Sequence, residues 1–211
     1  GGNNANILHY INNNEVLNKE DLLLIDAGCE FGLYASDITR TFPVNGSYSS
    51  AQRDVYQIVL EAQKKAMDES KIGNTLTDNH DAATKVLVQG LLDLKVLGGS
   101  LQEHLEKQSF KDYWPHGTGH WLGLDVHDNS PYINEEKSDI RFEEGMVFTI
   151  EPGLYLPLED EKVPQELRGI GIRIEDDVLI TKEGHEVLTE DVPKEIEAVE
   201  EACQKNYRDF L

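Results

Sequence analysis

The sequence predicts a single α+β domain, on three observations. Strand-like runs and amphipathic helices follow one another in the order β-β-α-α through the first half. The second half returns to short strands divided by glycine and proline, and closes on a helix. No short-period repeat, low-complexity tract or proline- or serine-rich linker divides the 211 residues, a length that suits one domain with a sizeable core.

Taken in order, Asp21-Leu22-Leu23-Leu24-Ile25-Asp26 is an apolar run closed by a carboxylate and then Gly28, the pattern of a buried strand. Between Ser36 and Val44, Asp37, Thr39 and Thr41 alternate with Ile38, Arg40 and Phe42 before Pro43 and the Asn45-Gly46 turn, so the two runs are expected to pair as a hairpin. Ser49 and Ser50 are good N-caps, and Val55, Ile58, Val59, Ala62 and Ala66 recur at helical spacing until Gly73. A second helix is expected from Thr77 or Asp78, with Ala82, Val86, Leu87, Leu91 and Leu94 on its apolar stripe and Gly98-Gly99 as its stop. His116-Gly117-Thr118-Gly119-His120 is too rich in glycine to propagate a helix. Met146 to Glu151 then reads as a strand ended by Pro152-Gly153. From Gly169 the alternation is strict: Ile170, Ile172 and Ile174 share one face, and Gly171, Arg173 and Glu175 the other. Gly184 marks a turn, and Pro193 at a first helical position opens a last helix carrying Ile196, Val199 and Cys203.

Composition narrows the function. With 19 Lys and Arg against 40 Asp and Glu the net charge is −21, a field that repels nucleic-acid backbones and anionic lipid and attracts cations. No run approaches the roughly 20 apolar residues that a membrane span needs. Cys29 and Cys203 lie far apart and in no CxxC pair, which argues against a disulfide framework or a zinc-cysteine knuckle and fits a reducing compartment. Cys29 is expected to be a small buried hydrophobe. The chain opens Gly1-Gly2-Asn3-Asn4 with no Met and no signal or transit peptide, so it reads as a fragment, with a cytoplasmic location expected.

Five metal-capable side chains end or begin strands: Asp26, Asp37, His120, Glu151 and Glu175. Acids are depleted in strands, and a buried carboxylate costs several kcal/mol unless something neutralises it. Two divalent cations would balance four such carboxylates and leave a bridging hydroxide as nucleophile. Oxygen-rich ligation with one imidazole suits Mn²⁺, Co²⁺ or Zn²⁺. On spacing alone, any single acid, Asp26 or Glu175 above all, reads as a salt-bridged or solvated side chain.

The surrounding wording adds a resemblance. Asp26-Ala27-Gly28-Cys29-Glu30, Ser36-Asp37-Ile38-Thr39-Arg40-Thr41-Phe42-Pro43, His116-Gly117-Thr118-Gly119-His120, Thr149-Ile150-Glu151-Pro152-Gly153 and Arg168-Gly169-Ile170-Gly171-Ile172-Arg173-Ile174-Glu175-Asp176 occur in one order. Together they resemble the pita-bread dinuclear metallopeptidases, most closely the aminopeptidase P group, from about Gly2 to Glu197. The resemblance implies a curved antiparallel sheet covered by helices, with the whole chain lying in the catalytic domain. It implies that an N-terminal domain and the first segments of the catalytic domain precede it in the whole protein, and that the whole protein forms homo-oligomers.

For the site, the resemblance implies that Asp26 and Asp37 hold one metal, and that Asp37 and Glu175 bridge to a second, which His120 and Glu151 complete. Mn²⁺ is the expected pair, with Co²⁺ or Zn²⁺ as alternatives. A bridging water would attack the scissile carbonyl with Glu151 as proton shuttle. His116 would bind the carbonyl oxygen or tetrahedral intermediate, and His127 and His9, the latter in Leu8-His9-Tyr10, would contact substrate near the scissile bond. Arg173 is expected either to orient Glu175 or to make a plain surface ion pair. Trp121, Leu122 and Tyr155 are candidates for an apolar specificity wall, with packing the competing role. Glu159 to Lys162 and Glu183 to Glu190 are expected to be solvated loops. The implied reaction is release of an N-terminal residue, one followed by proline, from peptide substrates. A prolidase acting on X-Pro dipeptides, a relative trimming aromatic or leucyl N-termini, and a metal-free binding module on the same fold are the alternatives.

Overall fold

The computed structural model describes residues 1–205. Strand β1 (Leu22–Ala27) and strand β4 (Ile38–Pro43) pair antiparallel, with Asp26 opposite Thr39 and Ala27 opposite Ile38. The expected hairpin therefore forms, but its connection is more than a loop. Inside it β2 (Glu30–Phe31) and β3 (Tyr34–Ala35) make a second, smaller hairpin. Gly28 lets the connection close, because a Cβ there would overlap the carbonyl oxygen of Ser36. Cys29 starts this arm and is exposed, which corrects the expectation of a buried thiol. The arm carries it off the sheet, and its Sγ lies 3.4 Å from Ser36 Oγ.

Helix α1 (Ser50–Asp68) starts where its cap predicts. Ser49 Oγ accepts the Gln52 N–H at 3.2 Å while Gln52 Oε1 accepts the Ser49 N–H at 2.9 Å, a reciprocal cap worth about 1 kcal/mol. Helix α2 (Leu76–Asp93) starts slightly earlier than Thr77 or Asp78, because Thr75 is the cap and Asp78 the residue that reaches back to it. Its buried stripe is Ala83, Leu87, Val88 and Leu91, while Ala82, Val86 and Leu94 are half-buried. The helix stops before Gly98-Gly99, and the chain reverses through Lys95 at φ 60°. A short polar helix, α3 (Leu101–Lys107), follows. It lacks the apolar periodicity by which the sequence could have announced it.

The second half consists of β5 (Val147–Ile150), β6 (Gly153–Leu156), β7 (Ile170–Arg173), β8 (Asp176–Thr181) and β9 (Gly184–Val187). These form a three-stranded sheet in the order β5-β8-β9 and a β6-β7 ribbon, and every pairing is antiparallel. Pro152 thus separates two strands rather than ending the only one. The alternation from Gly169 is also interrupted: β7 stops at Arg173, and Glu175 stands at the step where β8 begins. There its N–H donates to Thr39 O at 3.0 Å, which ties the step to β4. Part of the charged run from Glu183 is β9 rather than loop. Helix α4 (Ile196–Gln204) begins after Glu195 rather than at Pro193, because the segment before it serves as an acceptor. Val192 O and Pro193 O take Arg40 Nη2 at 2.9 Å and Nε at 3.1 Å.

One core joins these layers. Val55, Val59 and Leu60 of α1 are fully buried with Phe148, Ile150, Ile172 and Val178 of the strands, each such side chain contributing about 1.5–3 kcal/mol. Among the described residues no helix is long and apolar enough to cross a membrane.

Candidate metal centre

The four candidate acids and the imidazole reach one cleft from five places in the fold. Asp26 ends β1, Asp37 stands just before β4, Glu151 follows β5, and Glu175 occupies the step between β7 and β8. His120 arrives on the glycine-rich loop, which runs beside β5: Glu151 N–H donates to Thr118 O at 2.6 Å and Thr149 N–H to His120 O at 2.9 Å. Gly119 is required for this approach, since a Cβ would overlap Thr149 O. Behind His120, Trp121 packs edge-on against Phe142 and Phe148 at 6.1 and 6.0 Å. Trp121, Leu122 and Tyr155 are all buried, so packing is the role of the first two. Tyr155 does more, as its hydroxyl shows below.

One ligand atom each from Asp37, His120 and Glu175 lies within 4.8 Å of the other two. His120 Nε2 is 3.5 Å from Asp37 Oδ2 and 3.8 Å from Glu151 Oε1. Its Nδ1 is 3.1 Å from Trp121 O. A carbonyl only accepts, so Nδ1 carries a proton and Nε2 faces the acids, where loss of its own proton leaves the lone pair a metal ligand requires. The rings of His120 and His127 lie 4.0 Å apart. His116 donates through Nδ1 to Gly117 O at 2.8 Å and accepts at Nε2 from Tyr155 OH at 2.7 Å, with Glu151 Oε2 3.8 Å away. His9 and His127 are exposed on the rim, and with His116 and the five candidate ligands they line an open cleft of about 320 Å³.

Arg173 is buried at 4% exposure, so it is no surface ion pair. It also does not touch Glu175 directly. Its Nη2 donates to Asp26 Oδ2 at 2.6 Å, its Nη1 to Tyr155 OH at 3.0 Å and its Nε to Thr39 Oγ1 at 3.3 Å. Thr39 Oγ1 in turn donates to Glu175 Oε2 at 2.6 Å. The sequence candidates do not include Thr39, although it lies on β4 only two residues after Asp37. Asp177 was missed as well. Buried itself, it accepts the Asp37 N–H at 3.2 Å.

The electrostatics are those of crowded acids. Burial pushes Glu151 up to about 7. Burial and the neighbouring Glu151 and Asp37 charges hold Glu175 well above the carboxylate range. Asp26 is raised by burial and by Asp37, against the pull of Arg173. Burial works against ionised Asp37 too, but hydrogen bonds from His120 and Asp26 outweigh it, and its carboxyl titrates low. His116 is pushed down to about 4 by burial and is neutral. Asp26 is less buried than its strand-end position suggests, with 40% of its side chain exposed, because the outer part of β1 is uncovered.

A divalent cation fits this donor set. Glu175 Oε1 is buried with no hydrogen-bond partner, which is costly for an isolated carboxylate oxygen and natural for a ligand. Four carboxyl groups face one imidazole and one guanidinium, so cations would relieve the repulsion that raises Glu151 and Glu175.

Comparison with known proteins agrees with this chemistry. The chain is 50% identical over 200 residues to the Xaa-Pro aminopeptidase of Haemophilus influenzae, covering 95% of this chain and 46% of that protein. Pseudomonas aeruginosa aminopeptidase PepP superposes with a TM-score of 0.94 at 43% identity, over 97% of this chain and 47% of that one. A zinc-substituted Escherichia coli aminopeptidase P in complex with product gives a TM-score of 0.92 at 44% identity, with the same two coverages of 97% and 47%. The chain thus spans about half the length of the relatives it matches, and it has their pita-bread fold. Residues 1–182 match the profile of metallopeptidase family M24, and the chain belongs to that family.

Proposed function

We propose that the whole protein is a metal-dependent Xaa-Pro aminopeptidase and that this chain is the part of its catalytic domain that carries the metal centre. The observation that carries the reading is the convergence of Asp37, His120 and Glu175 within 4.8 Å, with Glu175 Oε1 buried and unpartnered. Asp26 and Asp37 would hold one cation, and His120 and Glu151 another, with Asp37 and Glu175 shared. Mn²⁺ is the pair we infer, with Co²⁺ or Zn²⁺ as alternatives. Such a pair, when bound, supplies Lewis acidity that polarises the scissile carbonyl and acidifies water.

The chain's own residues do the rest. Glu151, pushed up to about 7 by burial, is poised to take a proton and return it to the leaving amine near neutral pH. Neutral His116 is fixed by Gly117 O and Tyr155 OH on the wall where a substrate carbonyl would lie. His9 and His127 stand on the open rim, where they would contact the peptide beside the scissile bond. Arg173 holds Asp26 in place. We infer homo-oligomeric assembly of the whole protein and, from the two unpaired cysteines of this chain, a cytoplasmic location.

The test is an assay of the whole protein with Mn²⁺ on X-Pro-Y tripeptides and X-Pro dipeptides. Release of X from the tripeptide is the expected result. Cleavage of the dipeptide alone would make the protein a prolidase, and absence of bound metal would favour a binding module.

A further inference from the structure

The loop from His116 to His120 holds a single side chain between its two glycines, and helix α2 grips it. Thr118 is buried. Its hydroxyl lies 3.0 Å from Nδ1 of His80 on α2, and its carbonyl accepts the Glu151 N–H at 2.6 Å. Gly117 and Gly119 bring no side chain of their own and restrain the backbone least of all residues. Thr118 is therefore the side chain through which the loop is tied to α2. The grip is itself located from two sides. The His80 ring lies on Trp114 with centroids 4.7 Å apart, and the His80 carbonyl accepts the Thr84 hydroxyl at 2.7 Å. Trp114 also meets the His116 ring edge-on at 6.4 Å. Burial lowers the pKa of His80, which favours the neutral ring with its one donor and one acceptor.

We propose that His80 is a positioning residue for the metal centre, acting through the Thr118 hydroxyl to set His120 on one side and His116 on the other. The inference rests on the reading of His120 as a metal ligand. Groups that touch a ligand alter metal affinity by roughly 10- to 100-fold; His80 acts one residue further out, through Thr118, so the low end of that range is expected, directed at the cation that His120 holds. The cation held by Asp26 and Asp37 is left alone.

The experiment titrates the metal-free whole protein with Co²⁺, followed by calorimetry and by the visible bands of the bound ion. His80→Ala is expected to weaken one of two Co²⁺ ions about tenfold and change its bands, with the other ion unaffected. His80→Asn, which keeps a hydrogen-bonding nitrogen near the Nδ1 position, is expected to restore most of the loss. Thr118→Val should reproduce the His80→Ala effect, and the double variant should be no worse than either. Unchanged Co²⁺ binding overturns the proposal. Equal weakening of both ions in step with thermal stability, no rescue by Asn, or additive losses do so as well. Wild-type protein that binds no Co²⁺ overturns the metal-centre reading and the proposal with it, whereas the other failures leave that reading standing.

Discussion

Arg173 Nη2 donates to Asp26 Oδ2 at 2.6 Å, joining a guanidinium that is 4% exposed to a carboxylate side chain that is 40% exposed. Asp26 is thus placed by its partner and not by burial. The same guanidinium touches Tyr155 OH and Thr39 Oγ1, so one planar fork indexes β1, β4 and β6 against β7.

Lysine keeps the charge of Arg173 but not the fork. Arg173→Lys is expected to leave Asp26 loosely held and to weaken Mn²⁺ binding about tenfold, measured by calorimetry on metal-free protein. An unchanged affinity would show that Asp26 needs no such support.

Glu151 is assigned both a ligand and a proton-handling role, and the two are separable. Glu151→Gln retains an oxygen but cannot shuttle a proton at Oε2, the atom that faces His116 Nδ1 at 3.8 Å. The expected loss in kcat is about 10²- to 10⁴-fold, with metal content falling far less. A variant of the whole protein with near wild-type kcat would refute the assignment.

Legibility from sequence followed period and chemistry. The β1–β4 hairpin, α1 and the helical core were readable because alternation and capping are local signals. β6 is hidden by Pro152-Gly153, which punctuates the chain without ending the sheet, and β9 by a charged run that stays half-buried or exposed and is held only by pairing with β8. Every candidate ligand lies on the one cleft, since their motifs sit at strand ends that antiparallel pairing must bring together. What could not be read were the contacts made across the fold. From the sequence Arg173 is expected either to orient Glu175, its neighbour along the strand, or to make a surface ion pair, but its length carries it past to Asp26, and Thr39 relays to Glu175 instead. His80 and Thr118 stand 38 positions apart, and no local pattern links them.

Asp176 is fully buried between two cations: Arg40 Nη2 at 2.7 Å and Lys194 Nζ at 2.6 Å. Gln63 and Thr189 complete its acceptor capacity at 3.0 and 2.6 Å. Asp176→Asn preserves shape but leaves buried Arg40 without a counter-charge, which is expected to cost about 3–5 kcal/mol. Urea unfolding should show it as a lower midpoint at unchanged slope. A loss below about 1 kcal/mol would mean that the network is replaceable by neutral hydrogen bonds.

Acidity and metal should oppose each other in stability. A carboxyl raised in the fold favours its protonated form there, so its stabilisation is complete below the unfolded pKa and is lost as pH rises through the folded one. Glu151 and Asp177, both pushed up to about 7, and Glu175, held well above its usual range, behave this way. So does His120, raised because its acidic neighbours outweigh burial. His116, pushed down to about 4, acts oppositely: its neutral form is favoured, so stability falls as pH drops below the unfolded value near 6.5. Asp37, which titrates low, is indifferent until more acidic conditions. Without metal, stability should therefore fall as pH rises from about 6.5 to 8, where no lowered histidine compensates, by about 1.4 kcal/mol per group per pH unit inside each window. Below about 6.5 His116, with His80 and His127, which burial also lowers, offsets part of the gain at the four raised acids, Asp26 included, so the slope flattens there without changing sign. Divalent cations bind the deprotonated carboxylates, so saturating Mn²⁺ should invert the slope between pH 6.5 and 8. Thermal unfolding with chelator and with Mn²⁺ across that range is the measurement. Parallel pH profiles in the two conditions would mean that these carboxylates do not hold the metal.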